Sequence, residues 1–169
     1  LLARGALAPA WTPDDRQVAF VRHREEDGQV HDDVFLVPAL GGRERHLATV
    51  SMGHSHTLSF SPDGRQLALA HRDAPDAPIG LHLLSLETAG IRQLTRPPPG
   101  HFGDADPSFS PDGRTIAFTR VEALGVSDLY LVPVEGGEPR RLTRGNHNTQ
   151  GVTWAPDGQS LAFAAVRMG

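Results

Sequence analysis

Short apolar stretches return along the chain at a long and regular interval. Val18-Ala-Phe-Val, Leu67-Ala-Leu-Ala, Ile116-Ala-Phe-Thr and Leu161-Ala-Phe-Ala are apolar on both faces instead of alternating, the pattern of strands covered by other sheets on each side. Each closes a longer phrase: WTPDDRQVAF from Trp11, FSPDGRQLAL from Phe60, FSPDGRTIAF from Phe109 and WAPDGQSLAF from Trp154. Between aromatic and apolar run, Pro presets φ, Asp bonds the backbone ahead of it and Gly takes φ > 0, so a tight reversal is expected. The turn residues are Asp14, Asp63, Gly64, Asp112, Gly113, Asp157 and Gly158, with Asp15 standing where the other units carry Gly. Asp tolerates that conformation better than most residues.

The first Asp of each phrase recurs at intervals of 49, 49 and 45 residues, a period that suits a four-stranded propeller blade. A second phrase fills each interval. Asp33-Val-Phe-Leu-Val-Pro-Ala-Leu-Gly-Gly precedes Arg45-His-Leu-Ala, Asp128-Leu-Tyr-Leu-Val-Pro-Val-Glu-Gly-Gly precedes Arg140-Arg-Leu-Thr, and Leu81 to Gly90 is a weaker copy before Gln93-Leu-Thr. In the third unit this predicts strands over 106–110, 115–120, 128–132 and 139–143. The recurrent Ala at 19, 68, 117 and 162 reads as a crowded position between blades near the axis. The aromatics Trp11, Phe60, Phe109 and Trp154 read as plugs of the seams between blades.

The fold expected is all-β: a β-propeller of four-stranded antiparallel blades, with about three and a half blades present. The 169 residues form one propeller segment, with units at 6–50, 51–99, 100–145 and a partial one at 146–169. Leu1 to Gly5 matches Arg141 to Gly145 and reads as the tail of a preceding outer strand. Closed propellers carry about four to eight blades. The expectation is therefore a fragment of a longer chain, or a homodimer completing a ring of about seven.

Composition narrows the function classes. Gly at 18 and Pro at 14 fall at fixed places in the period, as turns between short strands require. A net charge of -4 argues against direct nucleic-acid binding, which needs a basic surface. The Arg140, Arg141, Arg144 cluster sits on an expected outer strand, where edge charge resists unwanted pairing. There is no Cys, no apolar run of membrane-spanning length and no targeting segment, although a chain beginning with Leu leaves its compartment unknown.

The phrase [WF]-x-P-D-G-x-x-[IVL]-A-[FL] followed by D-[LV]-[YF]-L-V-P-x-x-G-G-E-x-R-x-L-T resembles the WD-type propeller repeats of TolB and its relatives. Leu94-Thr-Arg-Pro-Pro-Pro-Gly, Val126 to Pro133 and Gly151 to Gly158 are most similar to the C-terminal propellers of bacterial winged-helix transcriptional regulators. That resemblance implies a bacterial sensor or protein-interaction module, in cytoplasm or periplasm, with DNA contact delegated elsewhere. Similar repeats form the gating propeller of prolyl-oligopeptidase-type serine peptidases, whose G-x-S-x-G nucleophile elbow this chain lacks.

The loops from outer strand to next inner strand gather at one mouth of a propeller channel, and here they carry His54 and His56, then His101, Asp104 and Asp106, then His147 and Gln150. They are the candidate ligand-binding residues. Imidazoles converging from neighbouring loops also suit a transition metal, with His54, His101 and His147 as ligands and Asp104, Asp106 or Gln150 as second ligands or their supports. A metal-dependent propeller lyase is the corresponding alternative. Solvated turn histidines are the simpler account. Asp33 and Asp128, at the expected starts of third strands, read as backbone caps. No nucleophile with a base, no acid/base carboxylate pair and no phosphate loop is present. The function expected is non-catalytic: recognition of a protein partner or small ligand at the channel mouth, without cofactor and without membrane insertion.

Overall fold

A computed structural model describes residues 3–26, 29–53, 57–144 and 147–167. Among these residues there are fourteen strands and no helix. The first blade is β1 (Ala6–Trp11), β2 (Gln17–Glu26), β3 (Gln29–Pro38) and β4 (Arg45–Val50). The second is β5 (Ser59–Phe60), β6 (Gln66–His71), β7 (Gly80–Ser85) and β8 (Ile91–Gln93). The third comprises β9 (Gly103–Phe109), β10 (Thr115–Ala123), β11 (Val126–Pro133) and β12 (Arg140–Arg141), and β13 (His147–Trp154) with β14 (Leu161–Arg167) begins a fourth. Within each blade successive strands pair antiparallel. β13 also touches β11 through Ser127 and His147, which joins the last six strands into one sheet.

The turn phrase works through one hydroxyl that composition did not flag. Ser61 donates to Asp63 at 2.6 Å, and Asp63 accepts the Arg65 amide at 3.0 Å. The Gln66 amide returns to the Ser61 oxygen at 2.9 Å. Thr12 with Asp14 and Ser110 with Asp112 repeat the set. Each of these carboxyls is held below its ordinary range by the hydroxyl first and the amide second. Gly64, Gly113 and Gly158 have φ of 70°, 70° and 69°. A Cβ on Gly113 would stand 3.3 Å from Pro62 of the preceding turn, and Gly158 faces Pro111 in the same way, so the reversals nest from blade to blade.

Alternate residues of the second strands face opposite neighbours. Ala19, Val21, Val34 and Leu36 pack on Leu67, Leu69 and Leu84 of the second blade. Ala68, Leu81 and Leu83 pack on Phe109, Ile116, Phe118 and Tyr130 of the third. Ala117 and Leu129 meet Val152, Trp154 and Leu161 of the fourth unit. Ala19, Ala68 and Ala117 are fully buried.

Several expectations need correction. β9 begins at Gly103, three residues before the expected start, because its first residues bridge to Ile79 of the preceding blade. The outer strand expected over 139–143 shrinks to Arg140–Arg141. Trp11 does not plug a seam among the described residues: it is 56% exposed. Ala162, in β14, is exposed instead of crowded, because none of the described blades packs on it as the third packs on Ala68. Residues 3–5 form no strand, though Ala3 packs on the Val18, Phe20 and Val37 cluster.

Candidate functional site

Strands run alternately in opposite directions, so the Pro-Asp-Gly and Gly-Gly turns share one end of the blades. The hairpins between second and third strands share the other end with the blade-to-blade loops. The described candidate residues lie at this second end. Asp104, Asp106 and Gln150 border one cavity of about 610 Å3, together with Thr57, Phe102, Thr119, Leu124 and Asn148. His101 borders a second cavity of about 480 Å3, which shares Ile79 and Phe102 with the first. His54 and His56 lie outside the described residues, and His147 is placed by its backbone at the start of β13.

Asp104 is not available as a metal ligand. Arg120 grips it through Nε at 2.7 Å and Nη2 at 2.9 Å, and Thr95 of the preceding blade donates to it at 2.5 Å. Both charges are buried, Asp104 at 1% and Arg120 at 7% exposure, and the Thr95 hydrogen bond to this pair ties the second blade to the third. Burial pushes the Asp104 carboxyl upward, against the pull of Arg120.

The repeat explains why this carboxylate comes from a neighbour. Asp33 and Asp128 accept the hydroxyls of Thr49 and Thr143, each at 2.6 Å, and pair with Arg24 and Arg141. They lie inside β3 and β11, which corrects their reading as caps at strand starts. The second blade carries Gly80 at the equivalent place, where a Cβ would meet the Thr95 carbonyl oxygen at 2.4 Å. Thr95 therefore finds its acceptor across the seam.

Asp106 sits three residues before the closing aromatic with φ of 50°, as Ala8 and Gly151 do in their strands with 51° and 63°. The register slips beside each of the three, which marks a repeated bulge. The bend lets Asp106 accept the Thr57 hydroxyl at 2.8 Å and the Gly151 amide at 3.3 Å, so it touches three blades. Thr119 was not flagged by the sequence. It is 1% exposed, its hydroxyl oxygen has no hydrogen-bond partner, and the paired positions of the other blades are Val21 and Ala70. A hydroxyl replacing an apolar residue at one place of a repeat is the signal that could have found it.

At the opposite end a larger cavity of about 760 Å3 is lined by Asp63, Arg65, Arg92, Asp112 and Glu135. Asp63 and Asp112 are occupied within their own reversals, and Arg92 donates to the Val134 carbonyl at 2.8 Å. Among the described residues no three His, Cys, Asp or Glu side chains assemble as a metal site, and no helix is long and apolar enough to cross a membrane.

Blades of this topology, seamed by apolar faces and nested turns, define a propeller, and the chain belongs to the TolB β-propeller domain family, whose model matches residues 3–169. It is 30% identical over 162 residues to "Uncharacterized peptidase YuxL" of Bacillus subtilis (strain 168), covering 93% of this chain and 21% of that protein. Among solved structures it is similar to TolB from Acinetobacter baumannii, with a TM-score of 0.74 and 22% identity over 97% of this chain and 38% of that one. A putative TolB from Agrobacterium tumefaciens gives 0.78 and 22% over 96% and 55%. The chain thus spans about a fifth of the curated relative and between 38% and 55% of these two solved chains.

Proposed function

We propose that this propeller segment works without catalysis, recognising a protein segment or small ligand at the loop-bearing mouth, with no direct nucleic-acid contact. One observation carries the reading. The 610 Å3 cavity gathers the places where the third blade departs from its siblings: Asp104, Asp106 and Thr119 stand where the first blade has Ala6, Ala8 and Val21. Packing would be served by the apolar residues, so an unpartnered buried hydroxyl in a cavity wall speaks for a ligand. Phe102 and Leu124, 59% and 87% exposed, give that ligand an apolar wall.

The test is selection of displayed random peptides on the 169-residue chain, followed by binding to Leu124→Ser and Gln150→Ala. Enriched peptides that lose at least about tenfold in affinity on both variants, at unchanged melting temperature, support the reading; one lost interaction of about 1.4 kcal/mol has this size. Enrichment indifferent to both would overturn it, and so would peptide-bond or glycoside turnover by the chain itself.

A second reading places the segment in the gating propeller of a serine peptidase. The similarity to the Bacillus peptidase favours it over a winged-helix regulator, for which the comparisons give no support. An α/β-hydrolase unit with a nucleophile elbow encoded in the same reading frame is its expected mark. A lyase using His54, His101 and His147 would need metal-dependent turnover lost on His101→Ala.

A further inference from the structure

The repeat acts as an internal control, and the second blade departs from it in two loops that meet. Two residues separate second from third strand in the first and third blades, between Glu26 and Gln29 and between Ala123 and Val126, but eight separate His71 from Gly80. From the outer-strand Thr to the next closing aromatic the spacing is 11 residues for Thr49 and Thr143 but 14 for Thr95. Extra length in one repeat of an array is placed at loops, often on the binding face. Only the second of these is an insertion, since the equivalent cross-strand pairs Arg22–Asp33, His71–Gly80 and Arg120–Asp128 are 11, 9 and 8 residues apart and the first loop is long because its strands end early. The two loops hold Pro75, Pro78, Pro97, Pro98 and Pro99, whose fixed φ makes them stiff.

Between them lies the 480 Å3 cavity, with Arg72 on one wall and His101 on the other. Arg72 donates through Nη1 to the Pro75 carbonyl at 3.1 Å, while its Nε is buried and without a partner. The Nδ1 of His101 is also buried and without a partner. Arg72 forms no ion pair with any described residue. In the same protein Arg120 uses its Nε and Nη2 edge to hold both oxygens of Asp104. Arg72 lines the cavity with its Nε unpaired, while its Nη2 lies beside Gly53, 3.1 Å from where a Cβ on that residue would stand.

We propose that this cavity binds a carboxylate, held side-on by Nε and Nη2 of Arg72 and by the Nδ1–H tautomer of His101. The guanidinium fork matches a planar carboxylate in two parallel hydrogen bonds. Buried donors left unmade are costly, and an incoming acceptor relieves that cost. Ile79 and Phe102 line the same space and receive a small apolar group attached to the acid. Asp76, exposed on the rim, weighs against doubly charged anions. The site adjoins the 610 Å3 cavity through Ile79 and Phe102, but Arg72 and His101 line only this one and Leu124 and Gln150 only the other, so either reading can fail alone.

The experiment follows the Arg72 Nε–H and His101 imidazole resonances of the labelled 169-residue chain. Sodium acetate, N-acetyl-leucine, N-acetyl-leucinamide and acetyl-Gly-Gly-Leu with a free terminus are added in turn. The expected result is saturable shifts of both signals with the three acids, tighter for N-acetyl-leucine than for acetate, and none with the amide. Tighter binding of the tripeptide than of N-acetyl-leucine identifies a chain terminus as the source, and equal binding a small free acid. Arg72→Lys keeps the charge but loses the fork, and weakens N-acetyl-leucine about tenfold, the loss of one charge-assisted hydrogen bond. Absence of any shift with acetate and N-acetyl-leucine, or an equal response to the amide, overturns the proposal on the wild-type chain, whatever the variant's stability.

Discussion

One side chain of the second blade, His71, sets the first response of the molecule to acid. His71 and His82 occupy the cross-strand places where the first and third blades put Arg22 beside Phe35 and Arg120 beside Tyr130. Their rings meet edge to face at 4.9 Å. Burial first, and the neighbouring His82 second, lower the pKa of His71 from its ordinary 6.5. A histidine depressed in the folded state contributes stability that is full above its unfolded value and is lost as pH falls through the folded one. The turn carboxylates, depressed as well, add a second loss further down. Thermal melts should fall first below about pH 6.5 and again in the carboxylate range. His71→Gln, which can still accept the Ser51 amide now bound to His71 Nδ1 at 2.9 Å, should remove the first decline only. A variant melting curve with the same two steps as wild type would exclude His71 as the cause. Asp104 is the other decisive residue: Asp104→Ala leaves Arg120 buried without its partner and should cost about 3–5 kcal/mol in urea unfolding. Replacing both by Leu and Met should cost much less, because the desolvation of both charges disappears with them.

At the scale of strands and blades the recurrent Ala supplies a controlled comparison. Ala68 is fully buried between the second and third blades, while Ala162, at the same place of the phrase, is exposed. Ala68→Leu should destabilise by about 1–3 kcal/mol through overpacking, and Ala162→Leu by less than about 0.5 kcal/mol. Equal effects on unfolding midpoints would mean that seam packing is not what the Ala provides. This element level was the most legible in the sequence, because apolar runs, Pro-Asp-Gly turns and a fixed period are local signals. Side-chain partnerships were not legible. Asp104 looked like a ligand since Arg120 and Thr95, which claim it, lie 16 and 9 residues away, one of them across a seam. The three prolines after Arg96 mark a local lengthening from Thr95 to Phe109 that is legible in the sequence, whereas the Arg72 hairpin carries no such mark, because the first two units are equally long. His101 is legible as a candidate only through its place in a blade-to-blade loop; the burial of its Nδ1 is a tertiary feature with no local signal.

For the whole molecule, the consequence of repetition is that its outer faces resemble its inner ones. Arg22 lies over Phe20 and Phe35 at 5.3 and 4.9 Å, as Arg120 lies over Phe118 and Tyr130 at 5.6 and 4.9 Å. In the third blade the second blade covers that arrangement; in the first Phe20 is buried under Ala3 and Phe35, beside Trp11 and Leu7 at 56% and 40% exposure. At the other end of the arc Phe163 and Val166 are 42% and 61% exposed. Faces built to meet a blade should accept one from a second copy, as two half-rings completing a circle of about seven blades would require. Trp11 reports on this directly, since Trp154 is half-buried and bonds the Ser108 carbonyl at 3.0 Å. In Trp154→Phe protein, acrylamide quenching of Trp11 should decrease as concentration rises, in step with a doubling of mass by light scattering. A mass that stays monomeric with quenching unchanged would assign the face to a blade of the same chain instead.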